Sequence, residues 1–145
     1  MLLSALMIVQ TKQIKVSTQG HAAVHDITAE TADLVRQSKI YDGTVTLFCP
    51  SATSGLTTLE YESGCVADLQ RLFDEIAHPD RPYAHNARWG DGNGHSHVRA
   101  ALLGPSLTVP VVNGRLTLGT WQQIIFVDFD NRSRQRELIV QIMGV

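Results

Sequence analysis

The chain has 145 residues, of which 43% are hydrophobic and 18% charged, with a formal net charge of −2. That length suits one domain with a sizeable core, and the near-neutral charge speaks against a nucleic-acid partner. No apolar run approaches the roughly 20 residues of a membrane-crossing helix, so no membrane partner is expected and the default compartment is the cytoplasm.

Residues 1–9 are apolar but lack a basic leader region and a clear cleavage site. They read either as a strand or as part of an N-terminal extension reaching residue 12. Ile14 and Val16 alternate with Lys15 and Ser17, which predicts a short strand. Asp26-Ile27-Thr28 offers capping chemistry for a helix over 29–38, with Ala32, Leu34 and Val35 on its apolar side. A strand rich in branched residues spans 44–49 and stops at Pro50. Residues 51–58 are small and hydroxylated. They read as a strand with exposed threonines or as a donor-rich surface that lets a ligand come close. Val66, Leu69, Leu72, Phe73 and Ile76 predict a helix over 65–77 with one buried stripe.

A short helix over 98–103 closes at Gly104-Pro105. Asn113-Gly114 marks a hairpin between 106–112 and 115–118. A second hairpin is expected between 123–128 and 136–143, with Arg132, Arg134 and Arg136 on a solvated strand face. Cys49 and Cys65 are too few for a disulfide framework and read as reduced and buried. Few helices early and hairpins late predict a single α+β domain over 1–145: an antiparallel β-sandwich with two main helices packed on it. Two helices cover only part of the sheet, which leaves surface for a subunit interface.

Residues 85–97 hold three of the six histidines, together with Asp91, Trp89 and three glycines. Such a run reads as a glycine-rich loop. If it is extended, His95 and His97 point to one side and His85 returns to meet them. Three imidazoles with an open fourth position match a catalytic zinc site, with Asp91 as a ligand or as the acceptor that orients an imidazole. Metal binding is the leading reading of the cluster, with metal-free acid–base chemistry or phosphate binding next and a structural hydrogen-bond network last. Trp89 reads as packing, and His21, His25 and His78 as surface residues. Arg99 either grips an anion or pairs with a surface aspartate. Glycines and hydroxyls at Gly104-Pro105-Ser106 and Gly119-Thr120-Trp121-Gln122 could present backbone N–H groups to phosphate oxygens. No Walker lysine, GxGxxG or GxSxG motif is present.

The run from Trp89 through His95-Ser96-His97 and Arg99 to Ser106 resembles the YjbQ-like family, as does Gly114-Arg115-Leu116-Thr117-Leu118-Gly119-Thr120-Trp121-Gln122-Gln123-Ile124. The resemblance extends from about Ile14 to Gly144. It implies a jelly-roll-like sandwich that assembles as a homotrimer, with a histidine-lined pocket between subunits. It also implies a secondary thiamine-phosphate synthase, which joins a pyrimidine-methyl diphosphate to a thiazole phosphate and releases pyrophosphate. Many members carry His-Thr-Thr-Ala-Gly where this chain has Ser51-Ala52-Thr53-Ser54-Gly55, so Ser51 replaces a histidine. Glu60 matches the family's later glutamate.

On this reading His85, His97 and Asp91 are the catalytic candidates. Arg99, Glu60, Ser51, Thr120 and Gln122 would bind a small anionic or phosphorylated substrate. His85, His95 and His97 would hold a divalent metal. Zinc or nickel suits imidazoles, whereas the synthase reaction calls for magnesium and carboxylates. The alternatives are a non-enzymatic trimer that binds metal or a small anion, and a metal-assisted hydrolase of a small phosphorylated molecule.

Overall fold

The computed structural model describes residues 6–145. Its elements in chain order are β1 (Ile8–Thr18), β2 (Ala23–Asp26), α1 (Thr28–Ser38), β3 (Gly43–Phe48), β4 (Ser54–Leu59), α2 (Ser63–Ile76), α3 (Ala84–Trp89), α4 (Gly94–Leu103), β5 (Ser106–Val112), β6 (Arg115–Leu116), β7 (Gln123–Asp128) and β8 (Arg134–Gly144). The α+β class holds: two antiparallel sheets form a sandwich, and the two longest helices are those expected around 29–38 and 65–77. The first sheet has the order β1-β8-β3-β5-β6 and the second β2-β7-β4. Among the described residues no helix is long and apolar enough to cross a membrane.

Period-2 patterning builds the main core. On β8 the even positions Leu138, Val140 and Ile142 point inward, as do Val45 and Leu47 of β3 and Val109 and Val111 of β5. They meet Leu56, Ile124 and Phe126 of the second sheet, with Val35 of α1 closing one side. The odd residues of β7, Ile125 and Val127, face the other way with Phe129. They pack against Phe73 of α2 and Ala100 of α4. β7 is therefore buried on both faces.

Several expectations need correction. β1 runs back to Ile8 and pairs with β8 along its whole length, so residues 8–12 belong to a strand. Residues 1–5 lie outside the described residues. The strands over 123–128 and 136–143 are not a hairpin, because β7 pairs with β2 and β4 while β8 pairs with β1 and β3. The connection crosses between sheets, a step that strand periodicity cannot reveal. The stripe on α2 buries only Phe73, while Leu72 and Ile76 face outward. Trp89 is not in the core: it is 66% exposed, with the Arg88 guanidinium 5.5 Å from its ring centroid. Cys49 is buried and Cys65 half-buried, both as free thiols.

Candidate functional site

The histidine-rich segment is not a loop. Residues 84–89 form α3 and residues 94–103 form α4, joined by a turn with Gly90 and Gly92 at positive φ. The two helices pack so closely at Gly94 that a Cβ there would lie 2.5 Å from Tyr83 Cβ. Helical geometry separates His95 from His97, since residues two apart differ by about 200° around the axis. This overturns the same-side geometry expected of an extended His-Ser-His.

His85 and His97 do come together, with ring centroids 4.4 Å apart and planes inclined at 48°. Asp91 Oδ1 lies 3.3 Å from His85 Nε2. The Asn93 carboxamide is wedged beside them. With its NH2 turned outward, it lies 3.2 Å from His85 Nε2 and 3.0 Å from Asp91 Oδ1. Turned inward, it lies 3.5 Å from Asp130. The shorter contacts favour the outward orientation. His85 Nε2 then faces a donor and an acceptor at once. It is satisfied whether or not it carries a proton.

His95 is elsewhere. It is 5% exposed, its ring near Tyr83 and its Nε2 3.3 Å from Ser96 Oγ, with Nδ1 buried and unpartnered. Burial, reinforced by Arg99 and His21, holds its imidazole below the ordinary histidine range. Among the described residues no three His, Cys, Asp or Glu side chains converge to hold an ion. The set His85, His95 and His97 is therefore not assembled within one chain, and the donors do not fit the expected metal.

Arg99 is buried and committed to structure. Its Nε donates to Ala77 O at 3.0 Å and its Nη2 to Asp74 Oδ1 at 2.8 Å. Of its two sequence readings, pairing with an aspartate is the one the fold makes. Ser51 and Ser54 share a cleft of about 320 Å³ with His97, floored by Ala100, Ala101 and Pro105. Ser54 Oγ is buried there without a partner. Glu60, Thr120 and Gln122 lie at the far end of the second sheet. Gln122 bonds Thr58 Oγ1 at 3.1 Å and lines a separate cavity of about 580 Å³ beside α1. Six residues of β7, roughly 20 Å, separate that end from Asp128.

A charged cluster beside the imidazoles escaped the sequence reading. Asp128 and Asp130 are buried on the inner side of β7, where the even positions of β8 bring Arg134 and Arg136. Arg134 Nε donates to Asp130 Oδ2 at 2.7 Å. Arg136 binds Asp128 through Nε and Nη2, and Thr53 Oγ1 at 2.9 Å. Arg134 and Arg136 are thus not on a solvated strand face. Burial alone would raise the Asp130 carboxyl, but the Asn131 N–H and the Arg134 guanidinium outweigh it and hold the group below the usual range. The detectable signal was the spacing of Asp128, Asp130, Arg134 and Arg136 in steps of two. His25, expected at the surface, is half-buried with Nε2 unpartnered, and burial lowers its pKa despite Asp128.

Residues 12–145 match the family described as UPF0047 protein YjbQ-like. The chain belongs to the YjbQ-like family. It is 36% identical to a UPF0047 protein of Methanothermobacter thermautotrophicus, over 94% of this chain and 93% of that one. It is 35% identical to the UPF0047 protein YugU of Bacillus subtilis, over 92% of this chain and 98% of that one. Among solved structures, a YbjQ-like protein of unknown function from Sulfolobus solfataricus P2 superposes with a TM-score of 0.92 at 33% identity. That likeness covers 97% of this chain and all of the other.

Proposed function

We propose that this chain is an acid–base enzyme acting on a small anionic molecule, with His85 and His97 as the proton-handling pair. The observation that carries this reading is the environment of His85 Nε2, which faces Asp91 at 3.3 Å and the Asn93 carboxamide at 3.2 Å. Asp91 can accept from Nε2 when it bears a hydrogen, and the Asn93 NH2 can donate to it when it does not. His97, tilted against His85, opens onto the Ser51–Ser54 cleft where the reacting part of a substrate would sit. Positioned proton transfer of this kind contributes about 10²- to 10⁴-fold to a rate.

Thiamine-phosphate synthesis is the reaction that the family resemblance implies, and it is the first to assay. Its diphosphate leaving group would draw on cationic donors. Self-association as a homotrimer belongs to the same reading. Glu60, Thr120 and Gln122 are too far from His97 to share a ligand with it within one chain, and a neighbouring copy would supply the missing approach.

The test is turnover of pyrimidine-methyl diphosphate and thiazole phosphate by the wild type, His85→Ala and His97→Ala. The expected result is a fall of about 10²-fold or more in kcat for each variant. Equal rates in all three proteins would remove the catalytic assignment and leave a non-enzymatic anion-binding protein. Light scattering of the purified chain, with three times the monomer mass expected, tests the assembly separately.

A further inference from the structure

Beside the imidazole pair lies a cavity of about 220 Å³ lined by Asp91, Asn93, Asn131, Arg132 and Arg134. Every lining residue is polar. We infer that Arg132 and Arg134 form the subsite for the substrate's phosphoryl group, which the proposed function leaves unassigned once Arg99 is committed to Asp74. This deepens the acid–base reading and rests on it only for the word substrate.

The guanidinium of Arg134 is half-committed. Its Nε holds Asp130, while its terminal nitrogens have no hydrogen-bond partner among the described residues. Arg132 is exposed and makes no ion pair among them. Two guanidinium groups, two residues apart at the head of β8, frame one small space. A planar carboxylate is matched by a single guanidinium fork, whereas a tetrahedral dianion can accept from two. The first turn of α4 begins at Gly94 beside the same cavity and adds the partial positive charge of its N-terminus.

The carboxylates nearby are already engaged. Asp128 is gripped by Arg136, and Asp130 accepts from the Asn131 N–H at 2.9 Å and from Arg134. Asp91 faces His85. Asn131 positions the two halves of the site, because its side-chain NH2 donates to the Asp91 carbonyl at 2.8 Å. This ties the loop of the acid–base pair to the turn that carries the arginines. A substrate would thus place its phosphoryl group on Arg132 and Arg134 and its body toward His97.

The experiment is titration of the full chain with inorganic phosphate, followed by calorimetry and by NMR of the arginine Nε–H signals. Acetate serves as the monoanion control. Arg132→Ala removes an exposed side chain, and Arg134→Lys keeps the charge at Asp130 while removing the fork. The expected result is saturable phosphate binding that weakens about tenfold in each variant, with little response to acetate. Arg71→Ala, which removes an exposed guanidinium that lines a different cavity, should bind phosphate as the wild type does. Wild-type phosphate affinity in both subsite variants, or no saturable binding to the wild type, would overturn the subsite. Loss of binding in the subsite variants without any turnover in the wild type would keep the subsite and reject the enzyme.

Discussion

Arg136 grips Asp128 through two hydrogen bonds, Nε to Oδ2 at 2.8 Å and Nη2 to Oδ1 at 3.1 Å. Asp128 is completely buried, at the end of the strand that both core clusters share. Removing one member of a buried pair strands the other charge, which typically costs 3–5 kcal/mol. We predict that Arg136→Ala destabilises the protein by about that amount in urea unfolding. A change below about 1 kcal/mol would mean that Asp128 finds water or another partner.

Acid should weaken the fold in two stages. His95 and His25 are held below the ordinary histidine range, mainly by burial, so the native state keeps them neutral. The unfolded chain takes up those protons near pH 6.5. Their contribution is therefore full above about pH 6.5 and declines as the pH falls through that value. Asp130 follows the carboxylate pattern, with a folded value lowered by Asn131 and Arg134 against the upward push of burial. Its contribution is present above about pH 4 and is lost as the pH falls through its folded value. Urea midpoints at pH 7.5, 6.0 and 5.0 should decrease in that order, and a flat series would contradict the first stage.

Gly94, at the start of α4, packs directly against Tyr83, which caps α3. A Cβ there meets Tyr83 Cβ at 2.5 Å and Cγ at 2.8 Å. Overpacking of this kind costs about 1–3 kcal/mol. Gly94→Ala should lose stability in that range and push His97 away from His85. Proton NMR of the imidazole rings reads the second effect directly, and an unchanged ring-to-ring contact would show that the helices yield elsewhere.

Metal content provides an independent check on the donor geometry. His85, His95 and His97 do not converge, and His95 Nδ1 is buried. We expect well under one zinc or nickel per chain after dialysis, and His95→Gln should leave that content unchanged. One tightly held metal per chain, lost in His85→Ala, would require ligands drawn from a neighbouring copy.

Two tryptophans bear on assembly. Trp121 is 73% exposed in the single chain, beside Thr120 in the segment that leads into β7. An exposed indole is a common anchor in protein interfaces. Trp121→Ala should shift the mass measured by light scattering toward the monomer, whereas the exposed Trp89→Ala serves as a comparison at the other end of the chain's site. Equal masses for wild type and Trp121→Ala would remove Trp121 from the interface.

The sequence by itself determined the elements whose cause is local. Branched residues specified β3, an apolar stripe specified α2, and Asn113-Gly114 specified β5 and the β5–β6 turn, where both residues take positive φ. It also drew attention to the segment that carries His85, Asp91 and His97. Only the tertiary structure decided what those residues meet. Two helices, not an extended loop, turned His95 inward and set His97 against His85, because a 3.6-residue period scatters neighbours that a two-residue period would align. β8 could be recognised from its own pattern, but its partners are β1 and β3, far away in the chain. That pairing sends Arg134 and Arg136 inward to Asp130 and Asp128. Burial and charge compensation depend on which strands face each other, and no local spacing contains that information.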